Sequence, residues 1–140
     1  MRILIINGPN LNMLGKRDPE KYGSFSLDDL QNNILSEYPE HEFEFYQSNI
    51  EGEIVSKIQN SQDNFDGLII NAGGYTHTSI AIKDALEIIE IPKIEVHLSH
   101  LSNREDFRQV MLTTKSVNGY ISGFKENGYL AAIYLLQKLQ

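Results

Sequence analysis

The sequence predicts an α/β fold, a doubly wound parallel sheet of five strands with helices on both faces. Short aliphatic runs alternate with amphipathic stretches of helical period from one end to the other. The first run, Arg2 to Asn7, has no polar break between Ile3 and Ile6, as in a strand buried on both faces. Strand and helix then follow each other in an order that demands right-handed crossovers, which set helices above and below one sheet. The length of 140 residues suits a single domain, 1–140, large enough to close one core.

Taken in order, Ser26 is placed to cap a helix over Leu27 to Glu37, with Asp28 and Asp29 in its first turn and Pro39 beyond its end. Glu42 to Gln47 reads as a second strand. Its alternation of Glu42 and Glu44 with Phe43 and Phe45 predicts one exposed face, hence a sheet edge. Glu51 to Gln62 fits a second helix with Ile54, Val55 and Ile58 on one side. Gly67 to Asn71 is the third strand and Ser79 to Glu90 the third helix. Pro92 introduces a fourth strand, Lys93 to His97. A short helix near Arg104 to Val110, a fifth strand from Val117 to Gly123 and a closing helix from Glu126 to Leu139 complete the pattern.

Composition excludes several classes. With no cysteine there is no disulfide, thiolate nucleophile, iron–sulfur cluster or cysteine-based zinc site. A net charge of −7 argues against sequence-independent nucleic-acid binding. No apolar run approaches the roughly 20 residues of a spanning helix, and Met1 to Gly8 lacks the pattern of a signal peptide. The expectation is a soluble, cytoplasmic protein without a membrane or nucleic-acid partner. Of only four arginines, three (Arg17, Arg104 and Arg108) fall in two polar segments, as in a protein that holds a small anion.

A doubly wound sheet binds ligands at the carboxyl ends of its strands, which points to three loops. The loop after Asn7 runs from Gly8 through Tyr22 and Gly23, a length that fits either a lid or a mobile surface segment. It carries neither a Walker A signature nor the Rossmann glycine pattern. After the third strand, Gly73 and Gly74 permit either close backbone approach to a ligand or a tight turn, and His77 can cap, pack or bind. On the fourth strand, alternation sets Glu95 and His97 on one side, where the acid can orient the imidazole. His97 and His100 have no third partner at metal-ligand spacing, so no metal site is expected. Arg104 and Arg108 stand four apart, on one face of the expected short helix. Together the three loops suit proton transfer on a small anionic polyol.

The sequence resembles the type II 3-dehydroquinate dehydratases. The matching stretches are Asn7 to Asn12, Arg17-Asp18-Pro19 with Tyr22-Gly23, Asn71 to Gly74 with Thr76 to Ser79, Glu95 to Ser99, Arg104-Glu105 with Phe107-Arg108, and Gly128-Tyr129. They stand in family order and at family spacing over nearly the whole chain. The resemblance implies a flavodoxin-like fold, no cofactor or metal, and assembly as a homododecamer, a tetramer of trimers. It implies a lyase that removes water from 3-dehydroquinate through an enolate, in the shikimate pathway. Tyr22 matches the base, and a phenol of ordinary acidity (pKa about 10) needs help near neutrality. Arg17 matches the residue that opposes the phenolate's charge. Asn10 matches the asparagine that holds a water against the enolate. His97 matches the acid that protonates the departing hydroxyl, with Glu95 orienting it. Leu98 and Ser99 match the carboxylate cradle, and Asn71, His77 and Arg108 the groups that hold ring hydroxyls. Gly73, Gly74 and Arg104 match supporting positions. Asp84 matches a residue that reaches a neighbouring subunit's site. The Arg17 to Tyr22 loop is expected to close as a lid.

Three positions depart from the family pattern: Asp18 is shorter than the usual glutamate, His100 replaces an asparagine, and Asn118 to Gly123 is a variant final strand. A non-catalytic flavodoxin-like module that binds a small anion, or a shell-forming protein, is the rival expectation. Neither has use for a lid with Tyr22 and Arg17 facing His97.

Overall fold

The computed structural model describes residues 1–140. Five parallel strands, β1 (Arg2–Asn7), β2 (Glu42–Gln47), β3 (Gly67–Asn71), β4 (Lys93–His97) and β5 (Gly119–Ser122), form one sheet in the order β2-β1-β3-β4-β5. The helices are α1 (Pro19–Tyr22), α2 (Leu27–Glu37), α3 (Glu51–Gln59), α4 (Ile80–Ile88) and α5 (Asn127–Lys138). This is the flavodoxin-like doubly wound arrangement, whose chain direction switches between β1 and β3.

Alternation along the strands divides the core in two. Ile3, Ile5, Ile69, Ile94 and Val96 meet Leu30 and Ile34 of α2 and Ala132, Ile133 and Leu136 of α5. Leu4, Ile6, Leu68 and Ile70 meet Ile54 and Ile58 of α3 and Ile82 and Leu86 of α4. The aliphatic runs are thus covered on both faces, and their polar ends, Asn7, Asn71 and His97, collect at one rim of the sheet. At α2 the Ser26 hydroxyl accepts from the Asp29 amide while the Asp29 carboxylate accepts from the Ser26 amide, a reciprocal cap that fixes the helix start.

Several boundaries differ from the expected ones. Helix α3 stops at Gln59 rather than Gln62, because the Ser61 hydroxyl donates to the Ile58 carbonyl and closes the last turn. Ser79 caps α4 rather than belonging to it, its hydroxyl accepting from the Ile82 amide, and the helix ends at Ile88. The fifth strand begins at Gly119, since the Asn118 side chain accepts from the Lys93 amide at 2.8 Å. The closing helix is shorter by one residue at each end. β2 is an edge strand, yet its polar face is half covered, for Glu44 pairs with Arg2 and with Lys57 of α3.

The short helix expected near Arg104 to Val110 is the 3₁₀ turn Asp106–Gln109, one of three with Leu101–Asn103 and Thr113–Ser116, and Arg104 and Glu105 are extended before it. The Gln109 side-chain amide ties the turns together by donating to the Leu101 carbonyl at 2.8 Å. Arg104 and Arg108 therefore do not share a helix face.

Candidate active site

One cleft lies at the carboxyl ends of β1, β3 and β4. It is lined by Asn10, Arg17, Tyr22, Asn71, His77, His97, Leu98, Ser99, Arg104 and Arg108, together with Gly73 and Gly74, and holds about 530 Å³ counted out to its open mouth. Three of the chain's four arginines face it, and no acidic residue lines it. A chain of net charge −7 has gathered positive charge at one place, as recognition of an anion requires.

The loop after β1 is built, not slack. Gly8 extends the ladder by donating to the Asn71 carbonyl at 2.7 Å, and a Cβ there would sit 2.7 Å from the Ala72 carbonyl oxygen. Asn10 takes a left-handed backbone (φ 70°), steadied by its amide donating to Asn49 Oδ1 at 3.0 Å. Leu11 and Leu14 anchor the loop in the core. Asp18 then caps α1, accepting from the Glu20 amide at 3.0 Å, with Pro19 at the first helical position. The shorter acid at this position serves as that cap. Tyr22 ends α1, and its half-buried side chain packs against the core on the α2 and α5 side of the sheet.

Two guanidiniums converge on Tyr22 in different ways. Arg17 lies over the ring, 3.7 Å from its centroid, so its charge meets the π face. Arg104 makes the direct bond: Nη1 donates to the Tyr22 hydroxyl at 2.8 Å and to Ser99 Oγ at 3.1 Å. The resemblance implies that Arg17 opposes the phenolate's charge and gives Arg104 a supporting place. The extended backbone at Arg104 and Glu105 brings Arg104 to the phenol as well. Arg108 is held by Glu105 through Nε at 2.8 Å.

At the sheet rim, register partners Asn7 and Asn71 share a buried network with α5. The Gly73 amide can only donate, so the Asn71 oxygen must face it, at 3.1 Å. Asn71 Nδ2 then donates to the Tyr129 hydroxyl at 3.1 Å, and Tyr129 gives its own proton to Asn7 Oδ1 at 2.5 Å. Each donor direction determines the next, which fixes the amide of Asn71. Full burial holds the Tyr129 phenol protonated far above its ordinary range.

His97 Nε2 stands 2.6 Å from Glu95 Oε1, so Nε2 carries a proton and Nδ1 is the other ring nitrogen. His77 is the opposite tautomer: Nδ1 donates to the Val110 carbonyl at 2.6 Å, leaving Nε2 as acceptor. The two rings stack with centroids 6.4 Å apart. Burial pushes the His77 imidazole below its ordinary 6.5, and the neighbouring His97 and Arg108 push the same way, against the pull of Val110 and Glu95. The native state consequently binds fewer protons than the unfolded chain once pH falls below about 6.5. No stability is lost above that pH, and stability declines as pH drops from there through the lowered native value. Urea midpoints measured from pH 7.5 to 5.5 should fall more steeply in the wild type than in His77→Gln; parallel slopes would refute this origin.

Two expected residues stand apart. Glu95 is wholly buried behind His97 rather than in the cleft wall. Asp84, on α4, has a largely exposed side chain and pairs with Lys83 at 3.6 Å, away from this chain's own cleft. His100 sits over Gly123, where a Cβ would meet the ring at 3.0 Å, so the two departures from the family pattern accommodate each other. No three His, Asp or Glu side chains come together to hold a metal ion, and no helix is long and apolar enough to cross a membrane. The sequence reading missed Thr76 and Thr113, whose hydroxyls both reach Glu95.

A flavodoxin-like sheet whose rim joins a phenol, an imidazole and three guanidiniums defines an α/β enzyme for proton transfer on a small anion. The family model described as dehydroquinase class II matches residues 1–137. The chain is 53% identical to the 3-dehydroquinate dehydratase of Fusobacterium nucleatum, over 98% of this chain and 97% of that one. It is 48% identical to the 3-dehydroquinate dehydratase of Thermotoga maritima, over 100% and 98%. Among solved structures, the type II dehydroquinase from Butyrivibrio crossotus superposes with a TM-score of 0.95 at 47% identity, covering 98% of this chain and 97% of that one. That from Propionibacterium acnes gives 0.91 at 36% identity, covering 97% and 96%. The chain belongs to the class II dehydroquinase family.

Proposed function

We propose that this cleft eliminates water from 3-dehydroquinate to give 3-dehydroshikimate, with Tyr22 as base and His97 as acid. Membership of the family makes the chain a lyase of the shikimate pathway; the residue roles are our reading. Tyr22, as phenolate, takes a proton from the carbon beside the ketone. The electron pair moves to the ketone oxygen as an enolate, which Asn10 stabilises through a water. The enolate then collapses, and His97 gives a proton to the tertiary hydroxyl as its bond to carbon breaks and water leaves. The Ser99 hydroxyl and the Leu98 amide receive the substrate carboxylate. Asn71, His77 and Arg108 hold the ring hydroxyls.

The observation that carries this reading is the meeting of Arg104 with the Tyr22 hydroxyl at 2.8 Å, under the Arg17 guanidinium. Two positive charges stand where a phenolate forms, with His97 lining the same cleft. Closure of the Arg17 to Tyr22 segment excludes water and completes the site. Asp84 reaches a neighbouring subunit's cleft within a trimer, and four trimers make the dodecamer, in the cytoplasm. The largely exposed Asp84 and the exposed Ile80 and Ile88 on the same helix support that placement.

The test is ultraviolet absorbance after adding 3-dehydroquinate to chelator-treated protein. Growth of the conjugated enone of 3-dehydroshikimate is expected. A flat trace from folded protein would favour a non-catalytic anion-binding relative.

A further inference from the structure

Glu95 is the only acidic residue that is fully buried, and it does not rest on His97 alone. Thr76 Oγ1 donates to its Oε1 at 2.8 Å, the oxygen that also receives His97 Nε2 at 2.6 Å. Thr113 Oγ1 donates to Oε2, again at 2.8 Å. Thr76 and Thr113 are themselves inaccessible to solvent. The 3₁₀ turns that carry them are joined by the Leu112 amide donating to the Thr76 carbonyl at 2.8 Å. A carboxylate accepts only, so three donors converge on two oxygens that hold no proton of their own. A buried carboxylate with fewer donors favours its neutral form.

The consequence for His97 follows from proton counting. One ring nitrogen is committed to Glu95. A neutral ring with its proton on Nε2 offers only a lone pair at Nδ1 and cannot act as an acid. To protonate a leaving hydroxyl the ring must hold both protons, and the second is kept there by negative charge on Glu95. The surrounding charged groups work against it, for the guanidiniums of Arg104 and Arg108 line the same cleft.

We propose that Thr113 and Thr76 are positioning residues that keep Glu95 a carboxylate and thereby keep His97 competent as an acid. This rests on the acid role assigned to His97 above. Thr113 comes from the segment between β4 and β5, where the sequence offered no reason to look for part of the site. Its hydroxyl acts two bonds removed from the substrate, through Glu95 and then His97.

The experiment compares Thr113→Val, which keeps the shape and removes the donor, with Thr113→Ser, which restores it. With 3-dehydroquinate as substrate, Thr113→Val should lose about tenfold in kcat, the scale of one hydrogen bond to a charged group, with KM within about twofold. Thr113→Ser should return to near wild type. In parallel, ¹⁵N spectra of the ligand-free proteins report the His97 ring: at any one pH, Thr113→Val should show a smaller fraction protonated at Nδ1 than wild type, and Thr113→Ser should match wild type. Thr76→Val repeats the test at the other oxygen, and serves if Thr113→Val does not fold. Unchanged kcat and unchanged His97 signals in the valine variants overturn the proposal, as does a serine variant that behaves like valine. If the wild type does not turn over 3-dehydroquinate, the function assigned above falls, and the spectra still decide whether the threonines set the protonation of His97.

Discussion

Tyr22→Phe is expected to fold like the wild type and to lose turnover by at least ~10²–10⁴, the contribution of a positioned acid or base. The substitution removes a single oxygen. The ring keeps its packing against the core and its place beneath Arg17, so the lid retains its apolar anchors. What disappears is the atom that takes the proton and that accepts the Arg104 hydrogen bond at 2.8 Å. Nη1 keeps its bond to Ser99 Oγ at 3.1 Å, so the guanidinium stays held after it loses the phenol oxygen. The loss should accordingly appear in kcat, with little change in KM or in the urea midpoint. Turnover near the wild-type rate would remove Tyr22 from the role of base.

How legible the molecule was depends on the range of the interaction involved. The bounds of β1 and β3 could be read because an aliphatic run buried on both faces is a local signal, and Pro92 marked the start of β4. The cap at Ser26 was equally local, since its partner Asp29 is three residues away. The short helix expected near Arg104 to Val110 is a single 3₁₀ turn that excludes Arg104. Long-range bonds, from Gln109 to Leu101 and from Leu112 to Thr76, hold the segment around it in such turns, and no local spacing announces them. Alternation along β4 identified Glu95 and His97 as a pair, whereas nothing near them in sequence indicated Thr113, 18 residues away from the carboxylate it supports. The arginines were recognised as site residues by their grouping, but which one touches the phenol depends on the extended backbone at Arg104. Asp84 was beyond any reading of one chain, for its expected role lies in a neighbouring cleft.

The bond from Arg104 to the phenol oxygen leads to the second large effect. Arg104→Ala should lose about 10²–10³ in kcat, the magnitude seen when one donor to a developing oxyanion is removed. Arg17→Ala should lose less, because a guanidinium over a ring face contributes a cation–π interaction of roughly 0.5–2 kcal/mol and makes no bond to the oxygen. Arg104→Lys should not restore the rate. Both bonds leave one nitrogen, Nη1, held by a planar guanidinium, and an ammonium on a shorter, flexible stem does not place a donor there with the same orientation. The decisive comparison is the double variant. If Arg104 acts on the reaction through the phenol oxygen, Arg104→Ala adds little once Tyr22→Phe has removed that oxygen, and the two losses are far from additive. Full additivity would mean that Arg104 serves the reaction elsewhere, at the substrate carboxylate beside Ser99. A larger loss of kcat in Arg17→Ala than in Arg104→Ala would give the activating role to Arg17, as the family resemblance implies.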